Sequence, residues 1–91
     1  MSIPEQLASE VAEEVKRAVS LFGKINNPHE AYGVIMEEMD EFWDEVKEFN
    51  LAKGRDTRSK MRTELIQLAA MALRTIMDCE LPPEKKEGWD S

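Results

Sequence analysis

The sequence predicts an all-α fold with three helices in each chain. Three segments carry apolar residues at three- and four-residue spacing, which is the period of an amphipathic helix. The segments are bounded by residues that start or stop helices, namely a serine or an asparagine with a nearby proline, and glycines. A chain of 91 residues is long enough for one small domain, which we expect to cover residues 1–91.

The first helix is predicted over residues 3–22. Ser2, Pro4 and Glu5 form the pattern of a capping box with an early proline, which satisfies the free backbone amides at a helix start. One face is apolar and consists of Leu7, Val11, Val15, Ala18, Val19 and Phe22. Gly23 is a suitable residue to end this helix.

The second helix is predicted over residues 28–50. Asn27 is the expected cap, with a proline at the first helical position and Glu30 three residues after the cap. Its apolar face consists of Ala31, Ile35, Met39, Phe42, Val46 and Phe49. Seven of the twelve residues in 37–48 are acidic, and only Lys47 opposes them. Like charges one turn apart cost about 0.2–0.5 kcal/mol each, so either water screens this band or a cation balances it.

The acidic residues of this band are not equivalent on a helical wheel. Glu38 and Glu45 lie at the edge of the apolar face, and Glu41 lies slightly further round. Val34 falls among these three glutamates, so we expect this flank of the helix to be half-buried. Carboxylates offered one turn apart on such a boundary suit a hard divalent cation such as Mg²⁺.

The third helix is predicted over residues 58–79, after a basic loop in which Gly54 breaks the second helix. Asp56, Thr57 and Ser59 are all suitable caps, and the sequence does not choose among them. The central run LIQLAAMAL is apolar almost all the way round, so it needs cover on every side. Two further helices from one chain hardly provide that cover. We therefore expect an antiparallel helical bundle completed by homo-oligomerisation, with a four-helix core across a dimer, or a tetramer.

Two pairs of candidate metal ligands have the same spacing on neighbouring helices. Glu64 and Gln67 lie three residues apart at the start of the apolar run, and Glu38 and Glu41 lie three residues apart on the second helix. Antiparallel packing of the two helices would bring both pairs to one level. Three carboxylates and one amide oxygen suit Mg²⁺ or Mn²⁺, and they lack the histidines that zinc and iron sites in bundles use.

The segments EEMDEFWDEV and TELIQLAAMAL resemble the MazG-like branch of the all-α nucleoside triphosphate pyrophosphohydrolases, including small phage-encoded members, over about residues 28–79. That family carries Glu-x-x-Glu on one helix, matched here by Glu38 and Glu41, and Glu-x-x-Asp on the next, begun here by Glu64. The resemblance implies Mg²⁺-dependent hydrolysis of a nucleoside triphosphate, NTP or dNTP, to the monophosphate and pyrophosphate. It also implies that these three glutamates hold the metal, and that one of them or Glu45 orients the attacking water.

Gln67 departs from the family pattern, which has an aspartate at this position. The amide oxygen of glutamine can still coordinate a metal, but one negative charge is lost. We therefore expect weaker metal binding or the loss of one of two metals. This departure supports an alternative interpretation, in which the chain is a helical interaction protein that has kept the fold and lost turnover.

Basic and aromatic residues near the acidic band have two interpretations each. Lys60 lies four residues before Glu64, so it can contact a substrate phosphate or form a salt bridge along the helix, and we favour the salt bridge. Three arginines are similar candidates for substrate binding: Arg55, Arg58 and Arg62. Trp43 and Phe49 can stack on a base, although their spacing is more typical of core or interface residues.

Charge and composition exclude several classes of partner. The net charge of -7 and the pI of about 4.7 argue against binding to nucleic acid or to anionic membranes. Cys79 is the single cysteine, so a reducing cytoplasm is expected. No signal pattern or membrane-spanning run is visible. We expect His29, the single histidine, to face solvent, and residues 81–91, with Trp89, to form a polar tail.

Overall fold

The computed structural model describes residues 2–51 and 56–84, which form three α-helices and no strand. Helix α1 covers Ile3–Phe22, α2 covers Pro28–Leu51 and α3 covers Arg58–Asp78. The all-α prediction is confirmed, and the observed bounds agree with the predicted ones to within one residue. The predicted loop residues Gly54 and Arg55 and the tail residue Trp89 lie outside the described residues.

Local hydrogen bonds set the limits of the first two helices as the sequence predicts. The hydroxyl oxygen of Ser2 accepts from the amide of Glu5 at 3.3 Å, and Oδ1 of Asn27 accepts from the amide of Glu30 at 2.9 Å. Gly23 ends α1 with a φ of 73°. Glycine adopts this conformation without the steric penalty that a Cβ atom brings, which explains the stop at this position.

Helix α3 lies between the other two helices, and α1 and α2 do not pack directly on each other within the described ranges. Met71, in the second half of α3, packs with Ala31 at the start of α2. Thr57, at the start of α3, contacts Glu45 near the end of α2. Because the order of contacts reverses, α2 and α3 are antiparallel, as predicted for the two helices that carry the acidic residues.

Helix α1 is parallel to α3 and is tied to it at both ends. The guanidinium of Arg62 donates to both carboxylate oxygens of Glu10, at 2.6 and 2.7 Å. Nη2 of Arg74 donates to the carbonyl oxygen of Gly23 at 2.6 Å. The three helices therefore form an open layer with α3 in the centre. One side of α3 faces the gap between α1 and α2.

The start of α3 is held by α2 rather than by a cap of its own. Thr57 occupies the N-cap position and is buried, but its hydroxyl donates to the carbonyl oxygen of Glu45 at 2.7 Å. Asp56 instead accepts from the first helical amide, that of Arg58, at 3.1 Å. The Thr57 hydroxyl thus fixes the position of α3 relative to α2, close to the predicted site.

The loop between α1 and α2 passes over the C-terminal half of α3. Its Ile25 is buried against Ala31 and Met71, and the half-buried residues around this small core are Val34, Ile35 and Cys79. Oδ2 of Asp78 accepts from the amide of Ile25 at 2.8 Å. This bond satisfies the backbone amide of Ile25, which lies outside any helix. The loop is therefore fixed on α3 at two points, by Asp78 at Ile25 and by Arg74 at Gly23.

Part of the predicted core face of α2 is exposed. Met39 is 49% exposed and Phe49 is 42% exposed. The reason is that the flank of α2 that faces α3 is the one that contains Val34 and Glu38. Several large apolar side chains of α2 and α3 are exposed, and we use the name apolar face for six of them: Tyr32, Met36, Met39, Trp43, Leu65 and Ile76. No described helix combines the length and the apolar character that crossing a bilayer requires.

Candidate metal centre

Helices α2 and α3 bring Glu38, Glu41 and Glu64 together. One carboxylate oxygen of each residue lies within 4.8 Å of the corresponding oxygens of the other two. Glu38 and Glu64 are half-buried at the helix contact, and Glu41 is exposed at its edge. We call these three residues the acidic cluster. The predicted meeting of the α2 pair with the first member of the α3 pair is therefore observed.

Two oxygens of the acidic cluster are buried without a partner. Oε2 of Glu38 and Oε2 of Glu64 have no hydrogen-bond donor among the residues of the described ranges. An unsatisfied buried acceptor typically costs about 1–3 kcal/mol, and more when it is charged. Carboxylate oxygens in this arrangement are the hard donors that Mg²⁺ and Mn²⁺ prefer, so the donor set fits such an ion.

The close approach of the carboxylates changes their protonation. Burial, followed by the neighbouring carboxyl of Glu41, raises the pKa of Glu64 to about 7. Burial and then the charge of Glu41 also raise the pKa of Glu38 above its ordinary value. At neutral pH the cluster therefore shares a proton for part of the time, because full ionisation places like charges side by side. A divalent cation would relieve the same repulsion.

Gln67, the fourth predicted ligand, is half-buried and lines a cavity together with Glu38. The cavity has a volume of about 390 Å³. Its floor is α3, its walls are α1 and α2, and the loop that contains Ile25 closes one end. Because Glu38 belongs both to the acidic cluster and to the cavity wall, the cavity adjoins the cluster at this residue.

Glu45 and Lys60 form a contact between α2 and α3. Nζ of Lys60 lies 3.8 Å from Oε2 of Glu45, and the side chain of Glu45 is only 18% exposed. The favoured salt bridge of Lys60 with Glu64 is not formed, because antiparallel packing places Glu45 opposite Lys60. Glu45 is also close enough for its charge to add, behind burial and the other two glutamates, to the raised pKa of Glu64.

Two of the predicted substrate-binding arginines are paired elsewhere. The guanidinium of Arg58 contacts Asp56 at 2.8 Å, and these hydrogen bonds lower the pKa of Asp56 to about 2. Arg62 pairs with Glu10 on α1.

Trp43 is 55% exposed on the apolar face, with Nζ of Lys47 5.9 Å from its ring centroid.

Sequence reasoning did not single out Glu14, which lies on α1. Its side chain is only 17% exposed and accepts hydrogen bonds from Arg17, and its charge contributes to the raised pKa of Glu38. The signal was present, because Glu14 lies three residues after Val11 and four before Ala18. It therefore shares their face of the helix.

Sequence reasoning also missed Arg74, which is 6% exposed. Within the described part of the chain, its Nε has no hydrogen-bond partner, although Arg74 lines the cavity. Its position in the sequence could have indicated this burial, because Arg74 lies three residues after Met71 and four after Ala70 on the same face of the helix. It is also the one charged residue between Glu64 and Asp78.

Comparisons with known protein families, with curated proteins and with solved structures find no match. The interpretation of the acidic cluster therefore depends on its geometry and on the sequence motif that led to it.

Proposed function

We propose that this protein is a divalent-metal-dependent nucleoside triphosphate pyrophosphohydrolase. The observation that carries the proposal is the acidic cluster: three carboxylates from two helices, each with an oxygen within 4.8 Å of the others. Two of the three have a second, buried oxygen for which the described residues offer no donor. The MazG-like motif that contains the same three residues supports the assignment. Metal binding also explains how a chain with a net charge of -7 binds a polyanionic substrate.

In this proposal Mg²⁺ or Mn²⁺ is held by Glu38, Glu41 and Glu64, with the amide oxygen of Gln67 as a neutral donor. The bound ion neutralises phosphate charge and increases the acidity of water. Glu38 and Glu64 are held in position by the α2–α3 contact, and the hydrogen bond from Thr57 to α2 fixes that contact nearby. Ligands on packed helices keep their geometry better than ligands on a loop.

The reaction is hydrolysis at the α-phosphorus. The oxygen of water forms a bond to the α-phosphorus, and the bond from that phosphorus to the oxygen bridging the β-phosphorus breaks. Pyrophosphate leaves and the nucleoside monophosphate remains. Glu45 is the residue that we assign to orient the water and accept its proton, because it is half-buried and adjoins the acidic cluster. Lys60, whose side chain is mostly exposed beside Glu45, is assigned to contact a phosphate. Arg58 in the same first turn would contact a phosphate by exchanging its pairing with Asp56.

The proposal includes association of two chains through the apolar face. Four of its six side chains are on α2 and two are on α3, and each is at least 40% exposed in the single chain. Covering this face with the same helices of a second chain gives a four-helix core. Size-exclusion chromatography with light scattering should give twice the mass of the chain, and Trp43→Glu should give one chain mass. A tetramer would extend this assignment, and a wild-type monomer would refute it.

The activity is tested by measuring pyrophosphate release from a panel of NTPs and dNTPs with Mg²⁺ or Mn²⁺. Glu38→Gln should reduce the rate at least about a hundredfold, because it removes a charged ligand from the assigned centre. Asp40→Asn is the matched control, since it removes one exposed charge from the same helix. Release of pyrophosphate that is unchanged in Glu38→Gln, or absent for every nucleotide, would contradict the proposal.

Gln67 favours a second candidate function, a metal-binding helical interaction protein without turnover. In that case Mg²⁺ or Mn²⁺ still raises the melting temperature, but no nucleotide yields pyrophosphate. Gln67→Asp separates the two candidates. If the missing carboxylate limits an existing activity, this variant releases pyrophosphate faster than the wild type, whereas a protein without turnover stays inactive while its metal affinity rises.

A further inference from the structure

The cavity beside the acidic cluster contains a buried donor that nothing in the described chain satisfies. Arg74 is 6% exposed, and two of its nitrogens have partners: Nη2 donates to the carbonyl oxygen of Gly23, and Nη1 lies 4.0 Å from Sδ of Met71. Its Nε has none within the described ranges. A guanidinium has only donors, so the group that satisfies Nε must carry an acceptor.

The charges around the cavity favour a neutral acceptor over a phosphate. Four glutamates and three cationic residues line the cavity, so the lining carries a slight excess of negative charge. Arg17, one of the three cations, is already paired with Glu14. Glu38 lies on the same wall, with its buried oxygen unpartnered. A phosphate group here would add negative charge beside these carboxylates, whereas a neutral polar ring would not.

The remaining lining suits a flat ring. Ala18, Ala70 and Val34 present small apolar surfaces, and Phe22, which is 70% exposed, stands at the rim. Pockets of roughly 300–1,000 Å³ with apolar walls and a few fixed polar groups typically bind small organic ligands. The volume of about 390 Å³ lies within that range. An exposed aromatic ring beside such a space can stack on a planar ligand.

The geometry points to this cavity as the binding site for the nucleoside part of the substrate, with Arg74 donating from Nε to an acceptor on the edge of the base and Phe22 stacking on its face. This inference rests on the proposed function for the position of the phosphates, which the acidic cluster would hold next to the shared residue Glu38. The base is then bound away from the metal, at the end of the cavity that the α1–α2 loop closes.

Nucleosides test the inference without metal and without turnover. Adenosine, cytidine, uridine and thymidine are titrated separately into the full chain in EDTA, and amide shifts are followed by ¹⁵N–¹H NMR. At least one nucleoside should shift the amides of Ile25, Ala70 and Met71 saturably in the millimolar range. Inorganic phosphate should leave these three amides unchanged and should not displace the nucleoside.

Two variants address the two assigned contacts. Phe22→Ala should weaken nucleoside binding roughly tenfold, as expected for loss of a stacking contact. Leu21→Ala is its matched control, because Leu21 is a neighbouring apolar residue that is 60% exposed, and it should bind like the wild type. Arg74→Met should weaken binding to a similar extent. Since Arg74 also fixes the loop through Gly23, Phe22→Ala keeps the test decisive where Arg74→Met does not fold.

The outcomes separate this inference from the proposed function. Saturable nucleoside binding in the cavity without pyrophosphate release supports the inference and refutes the hydrolase assignment. Pyrophosphate release without any nucleoside-induced shift at the three cavity amides overturns the inference and leaves the hydrolase assignment standing. Competition by inorganic phosphate, or wild-type affinity in both variants, also overturns it.

Discussion

Replacing Glu64 by glutamine should stabilise the metal-free protein while removing its response to metal. Burial of the Glu64 carboxyl, and then its proximity to Glu41 and Glu38, disfavour the charged form in the folded chain and raise the pKa of Glu64 to about 7. Glutamine has nearly the same shape and no charge, so it relieves the repulsion. It also removes one of the three carboxylates assigned to the metal. Glu64→Gln should therefore be more stable than the wild type without the ion and should lose the stabilisation that the ion gives the wild type.

The size of the stabilisation follows from the pKa. A change from the ordinary value of 4.5 to about 7 corresponds to about 3 kcal/mol at pH values above 8. Glu64 is only partly buried and its neighbours titrate with it, so solvent screening reduces this figure. The glutamine amide must also be desolvated. We therefore expect Glu64→Gln to gain about 1–2 kcal/mol, which is roughly 5–10 °C in melting temperature for a domain of this length.

Thermal unfolding followed by circular dichroism at pH 8, at one protein concentration, measures both effects. In EDTA, Glu64→Gln should melt above the wild type, and Asp40→Asn, which removes an exposed charge from α2, should change the melting temperature by less than about 2 °C. With Mg²⁺ or Mn²⁺ the wild type and Asp40→Asn should gain stability, and Glu64→Gln should not. Destabilisation of Glu64→Gln in EDTA, or an undiminished metal response, would refute the reasoning.

The same group predicts how stability depends on pH. Glu64 has its ordinary pKa of 4.5 in the unfolded chain and a pKa of about 7 in the folded chain, so the folded chain binds more protons between these values. The contribution of Glu64 is therefore fully present below pH 4.5 and is lost as the pH rises through 7. Metal binds the deprotonated carboxylates, so the metal-induced rise in melting temperature should be larger at pH 8 than at pH 6. A flat metal response across this window would contradict the prediction.

Three further substitutions test the fold around the site by urea unfolding at fixed protein concentration. Thr57→Val should cost about 1 kcal/mol and weaken the metal response, because the hydroxyl that joins α3 to the carbonyl of Glu45 is lost, whereas Thr57→Ser should retain both. Asp78→Ala should cost about 1–3 kcal/mol by leaving the buried amide of Ile25 without an acceptor, and Asp78→Asn should cost less. Gly23→Ala should cost about 1–3 kcal/mol from its backbone conformation alone, with φ at 73° and ψ at −159°, since no atom of the described residues lies within 4 Å of an added Cβ, and a neutral result would contradict this account.

The sequence was sufficient for the helices and their caps because those features depend on neighbouring residues. Ser2, Gly23 and Asn27 act within one turn of their own position, and the structure places them as predicted. The start of α3 is different. Thr57 is the N-cap by position, but its hydroxyl bonds to a residue of another helix. No local rule predicts that contact, because it depends on how α2 and α3 are placed.

The same distinction explains the site. Glu38, Glu41 and Glu64 were predicted to meet because spacing along each helix and antiparallel packing suffice for that conclusion. Glu14 and Arg74 were missed because charged residues are assigned to solvent by default. Their burial depends on the loop crossing over α3 and on the gap between α1 and α2, which are tertiary features.

The candidate site and the apolar face lie on different flanks of α2. On α2, the half-buried flank that contains Val34 and Glu38 separates the exposed Glu41 from the apolar face. If α1 packed against α2, it would fill the space beside Glu38. Because α1 and α2 stay apart, a cavity lies between them beside Glu38, while the side chains of the apolar face are exposed in the single chain. The proposed association through the apolar face would therefore stabilise the layer and leave the cavity beside Glu38 open, which is how the proposed dimer and the proposed chemistry are compatible.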